Sequence, residues 1–139
     1  MFSRFNDRGD GLSYRQYILE IGIGVDLHGG DETKAAERAV KDAIGRVSMV
    51  GLGKLFKANS FKEIEEALLV DVTISTPNPE RVDAEAVLKT LPEGRGRIRV
   101  VKGGALYPTD DTPEESRTHR VVVSICIIVV LINLDVLKM

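Results

Sequence analysis

Between Ile21 and Asp31 the chain reads IGIGVDLHGGD, setting two aspartates and one of its two histidines among four glycines. Side chains alternate across a strand, so Asp26 and His28 at a strand's end would point to one side. A carboxylate oxygen and an imidazole nitrogen so placed are two ligands for zinc or a similar divalent ion. The same two residues are the candidate catalytic groups. Gly22, Gly24, Gly29 and Gly30 remove side chains that would keep a ligand from the backbone, and these glycines with Asp31 make the candidate ligand-binding bend. Asp31 suits a helix N-cap, and the helix behind it would aim N–H groups at the same space, which favours anions.

A structural account of these residues stands beside the chemical one. Gly22 and Gly24 fit a bulge or a close helix–strand contact equally well, and Asp26 with His28 fits a hydrogen-bonded pair that locks the bend. The run is not a dinucleotide fingerprint, because Leu27 takes the third glycine position of G-x-G-x-x-G. Outside the bend, His119 is the candidate third metal ligand and Lys102, before Gly103 and Gly104, a candidate anion contact. A lone histidine at a strand start is more often a surface residue, and a lysine at a strand end is usually solvated.

The elements that would position these groups follow from periodicity. Tyr17–Val25 reads as a first strand, and Ala36, Ala39, Val40, Ala43, Ile44 and Val47 form one apolar stripe of a helix running from Asp31 to about Val47. Because that stripe is mostly alanine, the helix can pack close to the sheet beneath it. Ser60 and Glu63 offer a capping box, but LLVDVTIST alternates as a half-buried strand, which sets a strand over about Glu66–Ser75 with at most one helical turn before it. Pro79 suits the first turn of a second helix, with Val82, Ala86, Val87 and Leu91 apolar and Pro92 and Gly94 as its stop. Arg97–Lys102 reads as a third strand, YPTDDTPEES (Tyr107–Ser116) as a polar surface loop with Tyr107 as a further ligand contact if the loop acts as a lid, and Arg120–Leu134 as the last strand.

The expected fold is therefore an α/β two-layer sandwich, β-α-β-α-β-β, with a four-stranded sheet and both helices on one face. Residues 1–16 read as a flexible arm and residues 17–139 as a single domain. The last strand is apolar at consecutive positions, so both its faces call for burial. Two helices cover one face, and self-association through the helix-free face is the simplest cover for the other.

With 139 residues, 43% apolar and 29% charged, the chain can bury a core without disulfides or a structural metal. A formal charge of −2 without a Lys/Arg run disfavours nucleic acid as a partner. The single cysteine, Cys126, reads as a buried thiol in a reducing, cytoplasmic setting. VVVSICIIVVLI is shorter than the roughly 18 residues of a membrane helix and is rich in β-branched residues, so it reads as a strand and no membrane partner is expected.

GIGVDLHG resembles the G-x-G-x-D-x-H-G hallmark of an uncharacterised protein family spread through bacteria, plants and fungi. The likeness extends through DETKAAERAVKDAI, VTISTPNPERVDAEAVLKTLP and VKGGAL, and is weakest in SICIIVVLINLDVLKM. It implies no assigned activity. The opening stretch is also locally similar to methylerythritol cyclodiphosphate synthase, whose corresponding Asp and His are metal ligands, which would make Asp26 and His28 ligands here. That enzyme's third ligand is another histidine soon after the motif, and none follows here until His119.

Taken together, these readings favour a protein that binds a small anionic or polar molecule at the bend, directly or through a divalent metal such as zinc. If it is an enzyme, the absence of a redox-cofactor motif favours hydrolase or lyase/cyclase chemistry. The alternative is a non-catalytic structural or assembly protein whose bend shapes a subunit contact.

Overall fold

The computed structural model of the protein describes residues 14–46, 61–91, 95–116 and 119–135. The elements are β1 (Tyr14–Asp26), α1 (Glu32–Ile44), α2 (Phe61–Ala67), β2 (Leu68–Thr76), α3 (Ala84–Leu88), β3 (Arg95–Lys102), β4 (Ala105–Tyr107) and β5 (Val121–Asn133). The strands make one five-stranded sheet in the order β1-β5-β2-β3, with β4 paired to β5 as well. β5 is antiparallel to β1 and β2, and β2 is parallel to β3. No helix among the described residues is long and apolar enough to cross a membrane.

The α/β class holds, and three expectations about its parts change. The sheet has five strands rather than four, because three-residue β4 is too short to carry a periodic signal. Its three residues pair with Val121–Val123, beyond the reach of β2 along β5. The segment before β2 forms a seven-residue helix, held by Ile64 and Ala67 against the core and flanked by a Lys62–Glu66 ion pair at 3.9 Å. The helix expected from Pro79 is split. A 3-10 turn over Pro79–Arg81 ends at extended Val82, and α3 restarts with Asp83 as N-cap, its carboxylate accepting from the Ala86 amide at 3.2 Å.

Residues 14–16, expected in the arm, belong to β1. Residues 1–13, Val47 and the following linker, Ser60 of the expected capping box, and the Pro92 and Gly94 stop lie outside the described residues.

One core lies between the sheet and the helices. Ala36, Ala39, Val40 and Ala43 of α1 and Val87 of α3 meet Val70, Val72 and Ile74 of β2 and Cys126, Ile128, Val130 and Ile132 of β5. Burial of Cys126 pushes its thiol pKa up to about 12, as expected of a core residue. The alternate residues of β5 face the other way. There Val129 and Leu131 pack with Tyr14 and, at the margin, Leu69 in a small second cluster. Tyr14 reaches that face because the register slips between Gln16 and Ile18, which inverts the strand's facing.

The closest packing is between α1 and β1. A Cβ at Gly22 would lie 2.1 Å from the Ala39 carbonyl oxygen, and one at Gly24 would lie 2.0 Å from that of Ala35. Helix backbone thus rests directly on strand backbone, with alanine on one side and glycine on the other. Gly24→Ala is expected to cost at least about 2–3 kcal/mol by overpacking. Gly29→Ala, whose Cβ would meet nothing closer than Asp26 Oδ2 at 3.4 Å, should stay within about 1 kcal/mol of the parent. Urea denaturation of the two variants beside the parent checks both.

Candidate functional site at one end of the sheet

The C-terminal ends of β1, β2 and β3, the N-terminus of α1 and the start of β5 lie at one end of the sheet. Strand geometry ends at Asp26, and Leu27 and His28 form a bend, so the alternation that would align Asp26 with His28 no longer applies. Asp26 is buried. Its Oδ2 accepts from the Asp31 amide at 2.7 Å, and its Oδ1 lies 3.4 Å from Arg38 Nη1. The amide hydrogen bond, and then the Arg38 charge, outweigh desolvation and hold the carboxyl below its ordinary pKa of 3.8. Asp31 in turn caps α1, its Oδ1 accepting from the Lys34 amide at 3.1 Å. Both aspartates therefore brace the helix entry. Among the described residues no hydrogen bond or ion pair joins Asp26 to His28.

His28 is exposed and meets the chain's other histidine. Its ring lies edge-on to that of His119, with centroids 5.2 Å apart and planes at 87°. The two are far apart in sequence, and the antiparallel pairing of β5 with β1 brings them together, reinforced by an isolated bridge between Gly29 and Arg120. Gly30 adopts φ +62°, and a Cβ there would lie 2.5 Å from Arg120 Cδ, so the arginine stem lies over this glycine. Arg120 Nε is buried and has no hydrogen-bond partner among the described residues.

The other candidates fare differently. Gly22 and Gly24 are corrected as ligand contacts, because the space above them is filled by α1 backbone. Lys102 is exposed, opposite Thr76 at the end of β3, and among the described residues no hydrogen bond or ion pair ties it to the histidines. Tyr107 is exposed at the end of β4, and the loop after it is tied by the Thr109 amide donating to Thr112 Oγ1 at 2.9 Å. Among the described residues no three His, Cys, Asp or Glu side chains are grouped as a metal site would need. Asp26, His28 and His119 are thus not a preassembled three-ligand set.

Sequence reasoning missed Glu32. It looks like an ordinary charged residue of a helix's first turn, yet it is 2% exposed. Its carboxylate accepts from Thr76 Oγ1 and, at 2.8 Å, from Asn78 Nδ2, and Thr76 shares a 2.7 Å hydrogen bond with Ser124. One buried acid thus ties α1 to β2 and, through Thr76, to β5. The signal available was its position directly after the N-cap, which places it at the sheet end but does not reveal its partners.

A two-layer α/β protein with a mixed sheet, a glycine–alanine helix contact and a polar, histidine-bearing end is thereby defined. The chain belongs to the Lin0512 family of conserved hypothetical proteins, whose model matches residues 16–130. It is similar to the crystal structure of an FtsZ-like protein of unknown function from Nostoc punctiforme, at 31% identity and a TM-score of 0.72, over 88% of this chain and 99% of that one. No curated protein matches the chain.

Two predictions follow from the acids. Because Asp26 is held below its ordinary value, its ionised form stabilises the fold above that value, and the contribution is lost as pH falls through the depressed one. Asp26→Asn should be less stable than the parent at neutral pH, with the gap closing from about pH 4 downward in pH-dependent denaturation. Glu32→Ala removes the acceptor that buried Thr76 and half-buried Asn78 share and should cost about 1–3 kcal/mol in the same assay.

Proposed function

We propose that the protein binds a small anionic or polar molecule at this end of the sheet, with His28, His119 and Arg120 as its contacts. The observation that carries the reading is the meeting of the two histidines beside an arginine whose Nε is buried and has no partner among the described residues. A guanidinium prefers carboxylate or phosphate oxygens, and neutral imidazoles both donate and accept. The bend glycines Gly29 and Gly30 leave the backbone approachable, and Asp26 and Asp31 serve by positioning the bend and the helix entry. Two imidazole nitrogens also suit a divalent metal such as zinc, whose remaining positions the bound molecule or solvent would fill. If the site is catalytic, a pair of imidazoles fits proton transfer in hydrolase or lyase/cyclase chemistry. A buried, protonated Cys126 supports a reducing, cytoplasmic setting.

A second reading, a non-catalytic assembly protein, is favoured by the apolar residues left exposed on the helix-free face of the sheet, among them Leu19, Ile21 and Ile23.

Calorimetric titrations with inorganic phosphate and with zinc, run separately on the parent, His28→Ala and His119→Ala, test the ligand reading. Binding by the parent is expected, with a loss of about tenfold or more in each variant. Thermal melting should be little changed, because both side chains are exposed. A parent that binds neither probe, or variants that bind as the parent does, would overturn it.

A further inference from the structure

The two outer strands of the sheet are protected against edge pairing in different ways. An outer strand offers unpaired amides and carbonyls to any extended segment, and charged side chains, a bulge or a covering element are the usual obstacles. β3, last on one side, brings its own charges, Arg95, Arg97, Arg99 and Lys102. β1 is the last strand on the other side among the described residues. Its first half has Arg15, Glu20 and a register slip between Gln16 and Ile18. Residues 21–25, IGIGV, carry no charge or proline, and their register with β5 is unbroken. Ile21 and Ile23 are exposed as well. By composition this stretch is the part of the sheet's edges most open to pairing.

Side chains from α1 and the residue pair after it close that edge. Arg38 Nη1 donates to the Val25 carbonyl at 2.6 Å, the Ile23 amide donates to Asp42 Oδ2 at 2.8 Å, and Arg46 Nη1 donates to the Ile21 carbonyl. The Ile21 amide donates to Glu20 Oε1 at 3.2 Å. The order follows from pitch. α1 runs opposite to β1, as the contacts of Gly22 with Ala39 and Ala43 and of Gly24 with Ala35 and Ala39 require. Four helix residues advance about 6 Å, and two strand residues advance about 7 Å. Residues 38, 42 and 46 therefore stay level with the outward groups of residues 25, 23 and 21. Asp42 is the centre of the row, because its carboxylate also accepts from Arg46 Nη2 at 3.0 and 2.9 Å. The Arg38 and Arg46 side chains are each 53% exposed and that of Asp42 is 36% exposed, so the row lies on the surface and outside the core.

We infer that Arg38, Asp42 and Arg46 form a latch that holds β1 closed to strand pairing, and that the partner it excludes is β1 of a second copy of the chain. A two-fold axis at Ile23 would set two such stretches antiparallel, each Ile23 exchanging both its hydrogen bonds with its counterpart. The uncharged IGIGV run accepts itself as a neighbour, whereas two β3 edges would bring arginines together. In the closed state the amide and carbonyls that such pairing needs are held by the latch, and a second strand would have to displace it. The inference is independent of ligand binding at the sheet end.

Amide hydrogen exchange at Ile23, followed over a range of concentrations of the full chain beside light scattering, tests it on the parent, Asp42→Ala, Arg46→Ala and Glu37→Ala. Circular dichroism checks the fold of each. In the parent the Ile23 amide is expected to be protected at every concentration. In Asp42→Ala it should exchange about tenfold faster at low concentration. Protection should then return as concentration rises, while the species grows beyond the parent's size. Arg46→Ala, which frees the Ile21 carbonyl and loosens Asp42, should move both readouts the same way by less, and it carries the test if Asp42→Ala does not fold. Glu37→Ala removes the same charge from the same helix with no bond to β1 among the described residues, and should match the parent. Exchange at Ile23 that is alike in the parent and the folded latch variants overturns the inference. So does a freed amide that stays unprotected at high concentration with no change in size. Association of Glu37→Ala to the same extent as Asp42→Ala assigns the effect to net charge and overturns it too.

Discussion

At Gly22 and Gly24 helix α1 rests on β1 with no side chain larger than a methyl group between them, and much of the molecule follows from that contact. Gly22 and Gly24 admit the carbonyls of Ala35 and Ala39 at distances where any Cβ would collide. Such close approach fixes the helix in rotation as well as in height, because turning it would drive a bulkier side chain into the strand. With the rotation set, Arg38, Asp42 and Arg46 fall along the strand's outer edge, and the helix N-terminus falls beside Asp26. One steric constraint thereby positions both the edge closure and the polar end.

At that end the acids and the histidines sit in different surroundings. Asp26 and Asp31 satisfy amides of the helix entry, and Glu32 links three elements through Thr76, Asn78 and Ser124. The buried members of this set, Asp26, Glu32, Thr76 and Ser124, specify one arrangement when tied in this way, and leaving one of them unpaired is costly. The exposed His28 and His119 meet edge to edge beside them, with Arg120 between the bend and β5. The carboxylate closest to the motif histidine in sequence is thus a brace, and the histidine's ring contact comes from the far end of the chain.

The same helix placement divides the sheet into a covered and an open face. All three helices contribute to a single core, and Tyr14, turned over by the register slip in β1, covers part of the other side with Val129 and Leu131. What stays open is the region around Leu19, Ile21, Ile23 and Ile127.

The sequence by itself determined what depends on near neighbours. Alternation marked β2, helical spacing marked the alanine stripe of α1, and the unbroken β-branched apolar run marked β5 and implied the burial of Val122 and Ile128, which are 0% and 2% exposed. Periodicity could not register a three-residue strand, and it allowed at most one helical turn before β2, giving Glu66 and Ala67 of the seven-residue helix to the strand. The tertiary structure decided everything that depended on distant pairings. Insertion of β5 between β1 and β2 set His119 against His28, and the seating of α1 assigned Gly22 and Gly24 to packing although their spacing was equally compatible with a ligand. Glu32 became a buried tie because Thr76 and Asn78, distant in sequence, arrive beneath it. Local pattern fixes which face a residue takes on its own element, but its partners depend on how the elements are stacked.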